Sequence, residues 1–312
     1  MSFDVISIGG LLVEIIRKEV GKPFRNAADF SGPFPSGDTP IFINAAANLG
    51  MKCGFIGSCG DDEFGECVYN RLKESGVDMQ YVKRIKDTMT GTTFVAYEMD
   101  GTRQFLYHLK ESGSAIINID DVNEEYFKDC KWVHYTAFNL EISDSVRSAV
   151  YKSLQLLDPK TKVSFDPNIR PELLTPFQIQ KLSEPIMNRA DLIMPSQNEL
   201  STMYGKDDHD CCLEWMNRGK TVILKLGGEG CRIYDKGSII DVPPFKTFEI
   251  DATGAGDIFC AAFLFALTEG KSLYDAAVYA NAAGAVSVTT MGPMESTVNR
   301  TELDNFIHER MN

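Results

Sequence analysis

The sequence predicts an α/β protein built on a mostly parallel sheet with helices on both faces. Short runs rich in β-branched and aromatic residues recur along the chain, and segments with helical periodicity separate them. Parallel strands need a crossover between them, usually a helix, so this alternation favours a parallel sheet. The predicted strands are VISI near the start, CGFIGS at 53–58, WVHY at 132–135, KVSFD at 162–166, DLIMP at 191–195 and TVILKL at 221–226. The clearest predicted helices are DEFGECVYNRLKESG, which ends at Gly76, and the segment from Asp144 to Leu157.

The composition limits the classes of function that we expect. The 312 residues include 44 acidic and 31 basic residues, so the formal net charge is -13 and a nucleic-acid partner, which needs a basic stripe, is not expected. The eight cysteines include no CxxC pair, which favours reduced thiols in a cytoplasmic protein over a disulfide or zinc framework. The N-terminus lacks a basic n-region, and the run IFCAAFLFAL is too short to span a bilayer, so no membrane partner is expected.

One segment interrupts the alternation of strands and helices. The stretch from Gly91 to Leu109 contains two strand-like runs joined by the dipeptide DG, a strong signal for a two-residue hairpin turn. Such a turn pairs Glu98 with Arg103 and Val95 with Leu106, and the first pair brings opposite charges together. We therefore expect an antiparallel hairpin outside the parallel sheet, as an appendage, a lid or a dimer surface.

The stretch IDATGAGDIFCAAFLFAL, at 250–267, has the pattern of an anion site at a helix N-terminus. The small residues Gly254, Ala255 and Gly256 let a ligand approach the backbone, and the free amides at a helix start favour an anion. Asp257 follows on the first turn of a helix that is apolar on all sides and must be buried. Capping explains an aspartate at a helix start, but less easily one at the buried end of such a helix. A phosphate cradle beside a carboxylate base is what phosphoryl transfer to a hydroxyl requires.

Four segments in the same order resemble the signatures of one enzyme family. DATGAGDIF is similar to D-T-x-G-A-G-D-x-F, with Ala252 as the departure, and IGSCGDDEFG is similar to G-x-x-G-D-D-x-F-G. SFDPNIRPELL resembles a D-P-N-x-R-P segment, and PSQNELSTMYG resembles an N-x-x-E segment in which Ser196 replaces the asparagine. On these motifs the whole chain resembles the ribokinase-like (PfkB) carbohydrate kinases, in the branch of the fructokinases and 2-keto-3-deoxygluconate kinases.

The resemblance implies a fold and a domain organisation. It implies one ribokinase-like kinase domain over residues 1–312, with a doubly wound, mostly parallel sheet, helices on both faces and a small β-sheet lid. The lid corresponds to about residues 11–35 and 90–112. In this family the lid closes over the sugar, which excludes water, and often pairs with the same sheet of a second subunit. A homodimer through the lid is therefore implied, with apolar contacts from the faces of Thr92, Phe94 and Leu106.

The resemblance also implies roles for the residues around the start of the apolar helix. Asp257 corresponds to the catalytic base, and the backbone amides of Gly254, Ala255 and Gly256 correspond to an anion hole. Glu199 corresponds to a residue that acts through water on the Mg²⁺ that bridges the phosphates of ATP. In many members a monovalent cation such as K⁺ orders this loop, and the residues that correspond to its site are Asp251, Thr253, Ser287, Gly292 and Ser296.

A second set of residues corresponds to the nucleotide site. LKLGGEG ends a strand and resembles the nucleotide loop, which implies that Lys225 and Gly227 lie near ATP together with Thr253. Lys225 can equally be a solvated lysine at a strand end. Asn281 and Gly284, on the next helix, correspond to the place of the adenine, although small residues on a helix also serve close helix packing.

The sugar contacts of the family correspond to a third set of residues, namely Glu14, Gly37, Asp38, Arg103, Tyr107, Asp166, Asn168 and Arg170. Leu109 stands where the sugar-acid kinases usually have an arginine, which weakens the case for a carboxylate substrate, although Lys110 could substitute. Arg170 can contact substrate oxygens or phosphate, or it can be a structural arginine that bonds loop carbonyls.

The sequence therefore predicts a cytoplasmic, ATP- and Mg²⁺-dependent sugar kinase that phosphorylates a primary hydroxyl of a ketohexose or related keto sugar. A sugar-acid kinase of the 2-keto-3-deoxygluconate type is the alternative, favoured by Asp38 and the DPNIRP segment and opposed by Leu109. The alternative from another class is a catalytically silent sugar-binding regulatory protein, opposed by the intact Gly254, Gly256 and Asp257.

Overall fold

A computed structural model describes residues 2–296 and 298–311, and within them the strands form two separate sheets. The strands are β1 (Val5–Gly10), β2 (Leu12–Arg17), β3 (Phe30–Ser36), β4 (Cys53–Gly60), β5 (Asp78–Ile85), β6 (Gly91–Tyr97), β7 (Arg103–His108), β8 (Trp132–Thr136), β9 (Lys162–Asp166), β10 (Leu192–Ile193), β11 (Thr221–Lys225), β12 (Cys231–Asp235) and β13 (Ser238–Val242). All six strands predicted above are present, and the bounds of each differ from the predicted bounds by at most two residues.

The large sheet has nine strands in the order β13-β12-β11-β10-β9-β8-β1-β4-β5. Its neighbours pair in parallel from β5 to β11, and only β12 and β13 run antiparallel within the described residues. Strand β1 lies between β4 and β8, so the strand order reverses there. Ligands bind outside the carboxyl ends of strands at such a switch point.

Helices cover both faces of the large sheet. They are α1 (Asp38–Asn48), α2 (Glu63–Glu74), α3 (Glu124–Phe127), α4 (Ala137–Ile142), α5 (Asp144–Leu156), α6 (Pro176–Arg189), α7 (Glu199–Tyr204), α8 (Asp208–Asn217), α9 (Ala255–Thr268), α10 (Leu273–Ser287) and α11 (Arg300–Met311). Successive side chains of a strand point to opposite faces, and in β1 Val5 enters one core while Ile6 and Ile8 enter the other. Helices α1, α9 and α10 pack in the first core, and α4, α5, α6 and α8 in the second. The predicted fold class is confirmed.

Helix α9 is buried along nearly its whole length, as its composition requires. Every residue from Asp257 to Ala266 is buried, and the helix packs against α1 and α10. A helix without a polar face cannot lie on a surface. Its first turn is therefore fixed in the interior, at the carboxyl end of the large sheet.

The small sheet has the strand order β3-β2-β6-β7. Strands β2 and β6 are parallel, whereas the two outer pairs are antiparallel. One face, which we call the inner face, carries Glu14, Thr93 and Tyr107 in register across three strands. The opposite, outer face carries Phe94 and Leu106, which are paired in the ladder.

The predicted register of the hairpin between β6 and β7 is wrong by one residue. Arg103 pairs with Tyr97 instead of Glu98, and Leu106 pairs with Phe94 instead of Val95. The reason is the turn, because the amide of Glu98 donates to the carbonyl of Thr102 and encloses three residues rather than two. Gly101 is the last of these three residues and has φ +83°. A three-residue hairpin loop commonly ends in such a left-handed residue.

Two further expectations concern the chain as a whole. The eight cysteines lie in the part of the chain that the structure describes, and all are free thiols, with only Cys67 not fully buried. Among the helices of residues 2–296 and 298–311, none has both the length and the apolar composition that crossing a membrane requires.

Candidate active site

Two cavities meet at the start of α9, at the carboxyl ends of β9 and β11. The first, of about 330 Å³, lies under the inner face of the small sheet, and we call it the small-sheet cavity. The second, of about 620 Å³, lies against α10, and we call it the α10 cavity. The residues that line both are Ser196, Gln197, Lys225, Ala252 and Gly256. Two molecules bound in these cavities would therefore touch across the first turn of α9.

The backbone before α9 has a geometry that depends on glycine. Gly254 caps the helix with φ +78°, a conformation that L-residues with side chains rarely adopt. A Cβ atom at Gly254 would also lie 3.1 Å from side-chain atoms of Ile41 and of Pro293. The first amides of a helix have no intrahelical acceptor. The amide of Ala255 donates to the carbonyl of Ala252 at 3.3 Å, whereas Gly256 lines both cavities, where an anion can use its amide.

Asp257 stands on the first turn of α9 and lines the small-sheet cavity. The residue is 8 % exposed. Burial raises the pKa of its carboxyl well above the ordinary value, and the charges of Asp38 and Asp166 raise it further. Lys225 and Arg170 oppose that shift. A carboxylate with a raised pKa is a stronger base toward a hydroxyl proton than an exposed one.

Asp38, at the first turn of α1, is held by side chains from distant parts of the chain. Its Oδ1 accepts hydrogen bonds from its neighbour's amide at 2.6 Å and from Asn139 Nδ2 at 2.9 Å. Its Oδ2 accepts from Asn168 Nδ2 at 3.3 Å. Gly37, the N-cap of α1 with φ +106°, lines the cavity beside it. Asn139 was not found from the sequence, because its contact with Asp38 depends on folding.

Lys225 and Asp166 form a buried ion pair at the ends of β11 and β9. Lys225 Nζ lies 2.5 Å from Asp166 Oδ2, and the lysine is only 7 % exposed. Burial lowers the pKa of Lys225, but the charges of Asp166, Cys260 and Glu199 and the hydrogen bond to Asp166 together outweigh that effect, so the pKa is raised overall. The interpretation of Lys225 as a solvated strand-end lysine is therefore wrong. Its ammonium lies between the cavities as a fixed positive charge.

Glu199, at the start of α7, joins two loops of the small-sheet cavity. Its Oε2 accepts from the amide of Ser196 at 2.6 Å, and its Oε1 accepts from the amide of Ile169 at 3.1 Å. Burial and then the charge of Asp166 raise the pKa of Glu199 to about 7. No cluster of three metal-ligating side chains exists among residues 2–296 and 298–311. This donor set suits a hydrated Mg²⁺ held by one carboxylate and by substrate phosphates, not a closed protein cage.

The inner face of the small sheet offers polar atoms that have no hydrogen-bond partner among the residues that the structure describes. Glu14 is 2 % exposed, and its Oε2 lacks a hydrogen bond, as does the hydroxyl of Tyr107. Burial, and then the charge of Asp251, raises the pKa of Glu14 to about 8. Arg103 lines the same cavity from β7. Buried polar groups normally find partners, so a ligand rich in hydroxyl groups would satisfy this surface.

Arg170 matches both of the roles considered from the sequence. Its Nη1 donates to the carbonyl of Ile169 at 2.8 Å, as a structural arginine would. The guanidinium also lies 5.7 Å from the ring centre of Phe105 and 5.6 Å from that of Phe138, and it lines the cavity. The faces of the two rings attract the guanidinium, and this attraction helps to hold it in place. Leu109 is buried in a core, and neither it nor Lys110 is among the residues lining the cavity.

The α10 cavity contains the other residues that correspond to the nucleotide site. Gly227 lies in a turn of 3₁₀ helix at the cavity wall, with φ +56°. A Cβ atom at Gly284 would meet nothing within 4 Å, so the interpretation of this glycine as a close helix contact is wrong. Asn281 Nδ2 donates to the carbonyls of Val242 and Pro243, at 3.3 and 2.9 Å. It therefore fastens the loop that forms one side of the cavity.

The residues that correspond to the monovalent-cation site lie behind the anion-binding amides. Asp251 Oδ1 accepts from Tyr97 and from the amide of Thr253 at 2.9 Å, and Oδ2 accepts from the amide of Gly292 at 2.8 Å. Both oxygens of this carboxylate therefore accept hydrogen bonds from the protein, and these bonds order the loop around Asp251. Ser287 is buried at the end of α10, where its hydroxyl donates to the carbonyl of Gly284 at 2.8 Å, and Ser296 lines a separate small cavity beside Ile41.

The comparison with known proteins identifies the family to which this site belongs. A family model described as the pfkB family carbohydrate kinase matches residues 4–300. The chain belongs to this family. The expected activity of a carbohydrate kinase is thereby confirmed, and the predicted resemblance with it.

Relatives of this kinase include sugar kinases of two kinds. It is 30% identical to a probable fructokinase-2 of Arabidopsis thaliana, over 97% of this chain and 95% of that protein. It is 27% identical to a 5-dehydro-2-deoxygluconokinase of Clostridium perfringens, over 98% of this chain and 93% of that protein. Among solved structures, an E. coli protein assigned as a ribokinase II, in complex with ATP and Mg²⁺, has a TM-score of 0.91 and 32% identity over 99% of this chain and 100% of that one.

Proposed function

We propose that this kinase transfers the γ-phosphate of ATP to a primary hydroxyl of a ketohexose or related keto sugar, as a fructokinase does. The observation that carries the proposal is the position of Asp257, where the small-sheet cavity meets the α10 cavity beside the first amides of α9. The similarity to the Arabidopsis fructokinase supports the sugar class, and the ATP-bound relative supports the nucleotide.

In the proposed reaction the sugar hydroxyl oxygen forms a bond to the γ-phosphorus while the bond from that phosphorus to the β,γ-bridging oxygen breaks. The hydroxyl proton passes to the carboxylate of Asp257, and ADP leaves with the electron pair of the broken bond. The amides at Gly254, Ala255 and Gly256 bind the charge that develops on the transferred group. Lys225, buried between the cavities, adds a positive charge at the same place.

The metal ions belong to the same proposal. Mg²⁺, when bound with the nucleotide, neutralises phosphate charge and orients the γ-phosphate. Glu199 would hold it through water, because both of its oxygens already accept backbone amides at the edge of the cavity. K⁺ would bind main-chain carbonyls around Asp251, and replacing K⁺ by choline in the assay measures its contribution.

The second candidate is a sugar-acid kinase. Arg103 and Arg170 line the small-sheet cavity and offer positive charge to a carboxylate, and the Clostridium perfringens relative is a 5-dehydro-2-deoxygluconokinase. The neutral sugar is favoured because Glu14 presents an unpartnered carboxyl oxygen to the same cavity. As pH rises past about 8 and Glu14 becomes ionised, a substrate carboxylate beside it would be repelled.

The small sheet completes the site, and we propose that the chain is one kinase domain in which residues of about 11–35 and 90–112 form a lid. Its inner face supplies Glu14, Arg103 and Tyr107 to the cavity. Its outer face leaves Leu106 45 % exposed and Phe30 37 % exposed, with Phe94 beside them. Apolar surface of this kind suits a second copy of the sheet, so a homodimer is part of the proposal. Thr92, which was expected at the dimer contact, is buried and therefore contributes little surface to it.

A coupled assay of ADP release tests the substrate. Fructose, tagatose, ribose, 2-keto-3-deoxygluconate, 5-dehydro-2-deoxygluconate and adenosine should be compared with ATP and Mg²⁺, and we expect the highest kcat/KM with a ketohexose. Arg170→Ala separates the candidates, since it should raise KM far more for an acid than for a neutral sugar if a carboxylate is bound. Turnover of the acids alone would reject the ketohexose, and turnover of none would favour a sugar-binding protein without activity.

The dimer and the location have their own tests. Leu106→Glu should convert a dimer to a monomer in sedimentation velocity, whereas Phe177→Glu, at a more exposed apolar position on α6, should not. A wild-type monomer would contradict the dimer. The free thiols of all eight cysteines suit the reducing cytoplasm, and fractionation of cells that express the protein tests that location.

A further inference from the structure

The hydroxyl of Tyr97 joins the small sheet to the segment that precedes α9. Tyr97 is the last residue of β6, and its hydroxyl donates to Asp251 Oδ1. Asp251 is only 2 % exposed, and its other hydrogen bonds come from the amides of Thr253 and Gly292. One carboxylate thus connects the hairpin with the loop before α9 and with the loop after α10.

A second contact joins the same two parts of the molecule. Arg103 stands opposite Tyr97 in the β6–β7 ladder, and its Nη1 donates to Thr253 Oγ1 at 3.2 Å. Thr253 immediately precedes Gly254, the residue in left-handed conformation that begins α9. The base of the hairpin therefore reaches the residues that orient the anion-binding amides.

The hairpin also forms a wall of the small-sheet cavity, through Phe105 and Tyr107. A sugar in this cavity would contact that wall, and the hairpin is tied by hydrogen bonds to Asp251 and Thr253. Tyr97 is not among the described residues that line either cavity. Any effect that it has on the reaction therefore passes through Asp251 and not through contact with a substrate.

We infer that Tyr97 is a positioning residue that couples sugar binding in the small-sheet cavity to nucleotide binding at the start of α9. The inference rests on the proposed function, since it assigns the two cavities to sugar and nucleotide. Coupling between two sites is reciprocal, so each ligand changes the affinity for the other by the same factor. A hydrogen bond to a charged group accounts for a factor of about 10 to 100 in such an equilibrium.

The test compares Tyr97→Phe, which keeps the ring and removes the hydroxyl, with the wild type and with Tyr151→Phe. Tyr151 is a matched control, because its hydroxyl donates to a backbone carbonyl, that of Leu182, at 2.8 Å, away from both cavities. Calorimetry would measure the Kd of a non-hydrolysable ATP analogue with and without saturating fructose. The wild type should bind the analogue more tightly with fructose, and Tyr97→Phe should reduce that ratio about 10- to 100-fold.

Kinetics provide a second measurement on the same variants. In Tyr97→Phe, kcat should fall about 10- to 100-fold while the Kd of fructose for the free enzyme stays within about threefold. Tyr151→Phe should match the wild type in both respects even if its Tm falls. The inference is overturned if fructose does not tighten nucleotide binding in the wild type, if Tyr97→Phe keeps the wild-type ratio, or if Tyr151→Phe loses as much. Failure of the proposed function would be recognised separately, as a wild-type enzyme that phosphorylates no sugar.

Discussion

The ion pair between Lys225 and Asp166 gives a prediction that separates stability from catalysis. Both side chains are buried, and Nζ lies 2.5 Å from Oδ2. Lys225→Met removes the charge while nearly keeping the volume, so it leaves Asp166 as a buried carboxylate without its ammonium partner. Removing one member of a buried pair costs about 3–5 kcal/mol, whereas replacing both members by neutral groups is often close to neutral.

These figures convert to a shift in melting temperature. An unfolding entropy of about 2.1 cal/mol/K per residue gives about 0.7 kcal/mol/K for a chain of 312 residues. Lys225→Met should therefore lower Tm by about 5–8 °C. The double variant Lys225→Met/Asp166→Asn should recover most of that loss. It should not recover activity, because the positive charge between the two cavities is still missing.

Differential scanning fluorimetry and urea unfolding would measure the stability of the single and double variants. Arg232→Met is a matched control, since Arg232 and Asp241 are also 2.5 Å apart but lie at the surface, with Arg232 half-buried and Asp241 exposed. An exposed pair contributes about 1 kcal/mol or less. Any one of three results would contradict these predictions. Lys225→Met could be no more destabilising than Arg232→Met, the double variant could be as unstable as the single one, or the double variant could regain wild-type kcat/KM.

Three other variants test separate parts of the account. Burial raises the pKa of Glu14 to about 8 from a usual 4.5, so wild-type stability is fully present below about pH 4.5 and falls as pH rises to about 8. The Tm of Glu14→Gln minus that of the wild type should therefore increase between pH 5 and pH 9, and a constant difference would contradict this. Gly284→Leu directs a side chain into open space in the α10 cavity, so the KM for ATP should rise at least about tenfold without loss of Tm, and an unchanged KM would remove the nucleotide from that cavity. Phe263→Ala, at a fully buried position of α9, should cost about 3–5 kcal/mol in urea unfolding and leave both KM values unchanged, whereas a cost below about 1 kcal/mol would contradict the packing of that helix.

Much of the fold follows from local pattern. The six predicted strands and the buried apolar helix carry strong signals, because burial on both faces of a parallel sheet leaves long apolar runs. The position of Asp257 on the first turn of α9 could be predicted for the same reason, since three small residues precede an apolar run. The turn of the hairpin could not, because Gly101 serves two-residue and three-residue loops equally well and the choice moves every pair by one residue.

The environment of the site depends on contacts between residues that are far apart in the sequence. Asn139 reaches Asp38 across about a hundred residues, and the hydroxyl of Tyr97 reaches Asp251 across more than a hundred. The burial of Lys225 excludes its interpretation as a solvated lysine, and the neighbouring strand β9 supplies the partner that makes this burial tolerable. Polar residues of these kinds are common on surfaces, so nothing local distinguishes them.

In the proposed reaction Asp257 accepts the proton of the sugar hydroxyl while the amides before it bind the transferred phosphate. Rapid-quench measurement of phosphoryl transfer from radiolabelled ATP to fructose, in single turnover, isolates this step from product release. Asp257→Asn should slow transfer by about 10²- to 10⁴-fold, with the Kd of ATP within about threefold of the wild type. Transfer within about tenfold of the wild-type rate would contradict the claim, since a general base cannot be removed at so small a cost.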